Sequence, residues 1–107
     1  MKTKPSVELV NQLVLAEKIK EYLEKKYKIQ DLAIDSKKRE IIDIRSLAYK
    51  ATKDICDKVS VTRIARLYKR KHSTVINAIS NFESFMPYHY FSKYKKEYNI
   101  IMEKYAN

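Results

Sequence analysis

The chain has 107 residues and not one glycine. Tight turns with positive φ lose their usual residue, so hairpin-rich all-β folds and hinge-rich loops are disfavoured. The same absence excludes a G-x-x-x-x-G-K loop for cradling nucleotide phosphates. There are only two prolines, so helices are the expected element. Cys56 is the single cysteine, which rules out an intrachain disulfide and fits a reducing cytoplasm. Its place after Ile55, at the end of an apolar stripe, predicts a small buried core thiol. The first residues lack the apolar core of a signal peptide, and no run approaches membrane-spanning length. Acidic residues are missing altogether between Lys58 and Phe82.

That last gap matters because the chain is strongly basic, with a formal net charge of +10. Residues 1–35 carry 7 basic and 6 acidic groups, and residues 76–107 carry 4 and 3. Residues 36–75 carry 12 and 4, so a net +8 sits in the middle third. A general surplus would be spread evenly, whereas a confined one marks a polyanion site. An apolar fraction of 45% over this length supports one modest core.

The charge surplus surrounds a recognisable stretch, Ser60 to Asn81. Val61, Ile64, Ala65 and Tyr68 fall at helical spacing, and small Ala65 suits a close helix crossing. Lys69-Arg70-Lys71 breaks the pattern as a basic turn. Val75, Ala78, Ile79 and Phe82 restart it on a second helix that opens on His72-Ser73-Thr74. The opposite face holds Ser73, Thr74, Asn77, Ser80, Asn81 and Ser84, which are polar but uncharged. Such side chains donate and accept hydrogen bonds at base edges. A buried stripe, a polar stripe and cationic flanks are what a helix-turn-helix needs to read a major groove. In this reading Lys69, Arg70 and Lys71 anchor phosphates, while His72, Ser73, Thr74 and Asn77 face bases.

Taken in order, Met1 to Ser6 form a polar lead in which Pro5 sets the first helical φ. A long amphipathic helix is predicted from about Ser6 to Tyr27, with Leu9, Leu13, Ala16, Leu23 and Tyr27 on its apolar face and Val10, Val14 and Ile19 widening it. Glu21–Lys25 forms a favourable i,i+4 pair. Two uses of this helix stay open: packing on its own domain, or pairing with a second copy or a protein partner through Leu9, Leu13, Leu23 and Tyr27. Lys28 to Ser36 reads as a loop, with Asp35 or Ser36 capping the next helix. That helix, about 40–57, buries Ile41, Ile44, Ala48, Ala51 and Ile55 and offers the pairs Arg39–Asp43, Lys50–Asp54 and Lys53–Asp57. Lys37-Lys38-Arg39 at its start opposes the helix dipole and therefore points to an external anion. Pro87 ends the second helix of the pair near Met86. A last helix, with Phe91, Tyr94, Tyr98, Ile101 and Tyr105 at 3–4 spacing, closes the back of the domain and leaves tyrosine hydroxyls toward solvent.

These residues resemble the C-terminal DNA-binding domain of DnaA, the bacterial chromosomal replication initiator, from Lys37 to about Tyr105. The likeness rests on Lys37-Lys38-Arg39 with Arg45-Ser46-Leu47-Ala48, on Ser60-Val61-Thr62-Arg63-Ile64-Ala65, and above all on Arg70-Lys71-His72-Ser73-Thr74-Val75. The resemblance implies an all-α helix-turn-helix bundle of about five helices, similar to the Trp repressor or the DnaA C-terminal domain, with a long N-terminal helix. Residues 1–35 would supply that helix and its loop, and residues 36–107 the DNA-binding unit. It also implies that Lys37 or Arg39 reaches into a minor groove and that Arg45 touches backbone and a base edge. His72, Ser73 and Thr74 would read bases and phosphate, with Thr62 on the same DNA-binding side. The chain departs from the family at Lys71, where the family has Asp, at Ser46, where it has Gln, and in a turn without the family's glycines.

No catalytic residue, metal ligand set or cofactor is expected. His72, His89 and Cys56 do not form a metal-binding pattern, and no orienting acid accompanies the adjacent His72 and Ser73. The predicted function is sequence-specific binding of double-stranded DNA, linked to replication initiation or its regulation, in a cytoplasmic, nucleoid-associated, non-membrane protein without ATPase activity. A transcriptional regulator, or a protein-interaction module built on the N-terminal helix, remains the alternative.

Overall fold

The computed structural model describes residues 7–106, so the polar lead and the role expected of Pro5 lie outside the described residues. Among the described residues the architecture is all-α: α1 Val7–Lys26, α2 Arg39–Ile55, α3 Val61–Leu67, α4 His72–Phe85 and α5 Ser92–Tyr105, with a single 3-10 turn at His89–Phe91. The amphipathic periods predicted from sequence thus fall on helices, with ends shifted by one or two residues.

α2 is the central element and touches all four other helices. Its stripe is fuller than the spacing of isoleucines and alanines indicates: Ile44, Leu47, Ala48, Tyr49, Ala51 and Thr52 are all buried. Ile41 and Ile55 pack against the edge of this cluster. Leu47 and Tyr49 add bulk between the two flanking helix pairs, and Tyr49 meets Tyr68 edge-on at 4.9 Å. Burying side chains of this size is worth about 1.5–3 kcal/mol each, so α2 supplies much of the core.

α1 packs on its own domain. Ala16, Ile19 and Leu23 are buried, Leu9 and Leu13 lie against the core, and Tyr27 donates from its hydroxyl to Glu97 of α5. Ile19 is central rather than flanking, while Val10 and Val14 are exposed and do not widen the buried face. The face assigned to a possible partner is therefore the inner face. Gln12 fastens the other end of α1: its side chain donates to Asp57 and accepts the Lys58 amide, both at 2.6 Å. Buried Cys56 donates weakly to the Gln12 carbonyl, and burial pushes its thiol up to about 11.

Several local expectations are corrected. Lys38 is the N-cap of α2 and its side chain makes no cap bond. Ser36 instead accepts the Lys38 amide at 3.2 Å, closing a turn before the helix, so neither Asp35 nor Ser36 caps it. Asp57 lies past the end of α2, where Gln12 engages it, so an intrahelical pair with Lys53 is lost to geometry. On α1 the i,i+4 ion pair seen is Lys20–Glu24 at 2.7 Å, and Lys20 also reaches Asp31 at 2.8 Å.

The lack of glycine is solved twice in the same way. Lys28 and Lys69 take left-handed conformations, with φ of 55° and 54°. After α1, the amides of Ile29 and Lys28 bond back to the carbonyls of Glu24 and Lys25. After α3, the amides of Arg70 and Lys69 bond back to Ala65 and Arg66. Each is a Schellman termination with lysine at the position that favours glycine.

Candidate DNA interface

α3 and α4 form the helix-turn-helix. Ile64, Ala65 and Tyr68 face Val75, Ile79 and Phe82, all at 5% exposure or less, and Ala65 lets the two backbones approach. The Lys69 turn sends the chain out of α3, and only Arg70 and Lys71 separate it from α4.

The helix starts differ in a way that bears on ligands. At α3, Ser60 is extended and its hydroxyl accepts the Arg63 amide at 3.2 Å, a self-contained cap. At α4, Lys71 occupies the N-cap with the same extended geometry, but its ammonium can only donate and makes no cap bond. The first turn of α4 contains no acidic residue. Amides at a helix start carry positive partial charge and attract anions. At α4 they sit beside Lys69, Arg70 and Lys71; the start of α2 likewise has an uncapped lysine and the cations Lys37, Lys38 and Arg39, but its first turn also carries Glu40.

The sequence-predicted residues distribute as follows. Lys37, Lys38, Arg39, Thr62, Lys69, Lys71, His72, Ser73, Thr74 and Asn77 are all exposed. Arg39 has Asp43 for a neighbour at 3.3 Å, a surface pair of small worth. Lys69 lies within electrostatic reach of Asp31. Arg45 and Arg70 are placed differently. Arg45 is only 7% exposed and donates to the Ser36 carbonyl at 2.5 Å. Arg70 is half-buried and donates to the Ile34 carbonyl at 2.7 Å. The two arginines and Thr74 line a groove of about 290 Å³ between α2 and α4.

Sequence reading passed over Ile76. It projects from α4 one residue before Asn77, and it is 44% exposed. With Val75, Ile79 and Phe82 turned inward, Ile76 lies on the flank shared with Ser73 and Ser80. Its signal was an apolar residue outside the buried stripe, which period counting discards.

Fold and surface define a helix-turn-helix protein. Its residues 16–81 match the family described as the bacterial DnaA protein helix-turn-helix, and the chain belongs to that family. The match starts inside α1, upstream of the Lys37 start read from sequence, and ends in α4 before α5 begins. No curated protein and no solved structure is significantly similar to the chain. Among the described residues no three His, Cys, Asp or Glu side chains gather to hold a metal, and no helix is long and apolar enough to cross a membrane.

Proposed function

We propose that the chain binds double-stranded DNA with sequence preference, α4 lying in the major groove and Lys37 or Arg39 entering the neighbouring minor groove. One observation carries the reading. The uncapped start of α4 exposes His72, Ser73, Thr74 and Asn77 between cations, while the partner helix α3 has its own serine cap. His72, Ser73, Thr74 and Asn77 read base edges, and Ile76 meets a thymine methyl. Lys37, Lys38, Lys69 and Lys71 contact phosphates, with Thr62 at the backbone. Membership of the DnaA helix-turn-helix family supports a role in replication initiation or its control on the nucleoid. These 107 residues include no glycine from which to build a phosphate-binding loop, and the role proposed for them is binding.

The apolar surface that α1 leaves for a partner is Val7, Val10 and Val14, which are 77%, 46% and 46% exposed, because Leu23 is in the core and Leu9, Leu13 and Tyr27 pack against it. Selection from random duplex DNA at moderate salt tests the proposal. An enriched motif supports sequence readout. Binding without enrichment reduces the function to phosphate-led association, and no binding to any duplex overturns it.

A further inference from the structure

By sequence, Arg45 and Arg70 are two more cations for DNA. In the fold, one comes from α2 and the other from the α3–α4 turn, and they converge on a single short piece of backbone. Arg45 Nη2 donates to the Ser36 carbonyl at 2.5 Å. Arg70 Nη2 donates to the Ile34 carbonyl at 2.7 Å, and its Nη1 approaches the Ala33 carbonyl at 3.4 Å. These carbonyls immediately precede Lys37-Lys38-Arg39. Arg45 is 93% buried by its 7% exposure, so it cannot meet a phosphate without leaving this place. The pair also lies close enough to repel. Burial first, and then the Arg70 charge, lower the pKa of Arg45. The carbonyl dipoles they grip offset part of this repulsion, while Arg45 Nε stays buried without a partner.

We propose that Arg45 and Arg70 are positioning residues that staple the loop 33–36, which runs into the basic start of α2 at Lys37-Lys38-Arg39, to the body of α2 and to the entry of α4. The minor-groove arm and the recognition helix then meet the duplex as one preset unit. The inference rests on the DNA-binding reading above and deepens it. An arm fixed before binding loses less conformational freedom on the DNA than a free tail of the same charge. Arg70 links the arm to the turn that aims α4, and Arg45 links it to the central helix, so a shift in either helix moves the arm with it.

A double-mutant cycle on the full chain tests this. Affinity for the selected duplex is measured for the parent, Arg70→Ala, the arm variant Lys37→Ala/Lys38→Ala/Arg39→Ala, and their combination, each with its melting temperature. If Arg70 acts through the arm, Arg70→Ala weakens binding about tenfold or more with the arm intact. Without the arm it changes binding by less than about twofold. Arg70→Gln keeps an N–H donor without the charge, and it recovers part of the affinity. Equal losses in both backgrounds, with Arg70→Gln no better than Arg70→Ala, would show a direct phosphate contact and overturn the proposal. Equal losses in both backgrounds that follow the drop in melting temperature would also overturn it, as a purely structural role. A parent that binds no duplex at low salt removes the DNA reading and this inference together.

Discussion

On the α1–α5 side of the molecule, lysines meet acids inside the fold. Glu97 of α5 is 2% exposed and takes contacts from three groups of α1 and the residue that follows it: the Lys26 ammonium at 2.7 Å, the Tyr27 hydroxyl at 3.1 Å and the Tyr22 hydroxyl at 3.3 Å. Lys20 is held between Glu24 and Asp31. On the α2–α4 side Lys50 is paired too, with Asp54 and Glu83, but at the helix starts Lys37, Lys38 and Lys71 appear in no ion pair among the described residues, and the stretch around the turn has no acid to offer them. A lysine with an internal carboxylate stabilises the fold. A lysine without one retains its charge for a partner, and a duplex supplies phosphates at the matching density.

The sharpest way to break this contrast is salt. With several phosphates neutralised, log K should fall against log salt with a slope of about −4 to −7, which is roughly 10²- to 10⁴-fold between 50 and 200 mM. A flat titration by fluorescence anisotropy would place the partner outside the polyanions.

The next effect belongs to the other side. Glu97→Gln should destabilise the fold by about 2–3 kcal/mol in denaturant melts, because it removes the buried charge that Lys26 pairs with and turns one of the two acceptor oxygens into an N–H donor facing groups that themselves donate. The salt slope of DNA binding should not move. The same hub sets an alkaline limit. The Glu97 hydrogen bond raises Lys26 from 10.5 to about 12, and burial with the nearby Glu97 charge raises Tyr27 from 10.0 to about 12. Both groups hold their proton more tightly when folded, so their stabilisation is complete below pH 10 and is lost as pH rises to 12. Asp31 works at the other end. Lys20 lowers it from 3.8 to about 2, so its contribution is present above that ordinary value and fades as pH falls through 2. Melting temperatures measured at pH 9–12 and at pH 2–4 check both limits.

Within the binding face, readers and anchors should separate. His72→Ala or Thr74→Ala should lower discrimination against mismatched sites by about 1–3 kcal/mol. Lys38→Ala should weaken all duplexes alike and reduce the salt slope by about 1. If competition assays give one pattern for both, the division of roles is wrong. A smaller effect is expected at Ile76. Replacing individual thymines of the site by deoxyuridine should cost about 1 kcal/mol at one position in the parent and nothing there in Ile76→Ala, if that side chain packs on a methyl. The smallest is Lys28→Gly, which should raise stability by up to about 1 kcal/mol by relieving the left-handed residue after α1. DNA affinity should be unchanged.

The helices, the inward faces of α2, α3 and α4, and the exposed polar residues Lys71 to Thr74 and Asn77 were legible in the chain. Local periodicity and charge decide such features, and neither requires knowing what lies across the core. Val75, Ile79 and Phe82 repeat at 3–4 spacing whatever they pack on, and a stretch with no acid is basic in any fold. The missing glycine likewise limits the turn chemistry in any fold. The tertiary structure alone settled pairings between residues far apart in sequence. Gln12 reaches Asp57 and Lys58, Tyr22, Lys26 and Tyr27 converge on Glu97, and Arg45 and Arg70 turn away from solvent to hold the carbonyls of residues 33–36. A guanidinium or an amide bonds to whichever acceptor the fold brings within 3 Å, and no local pattern encodes that distance. Sequence therefore set which residues are helical and which are charged, and packing set which of those charges are neutralised within the protein and which are left for DNA.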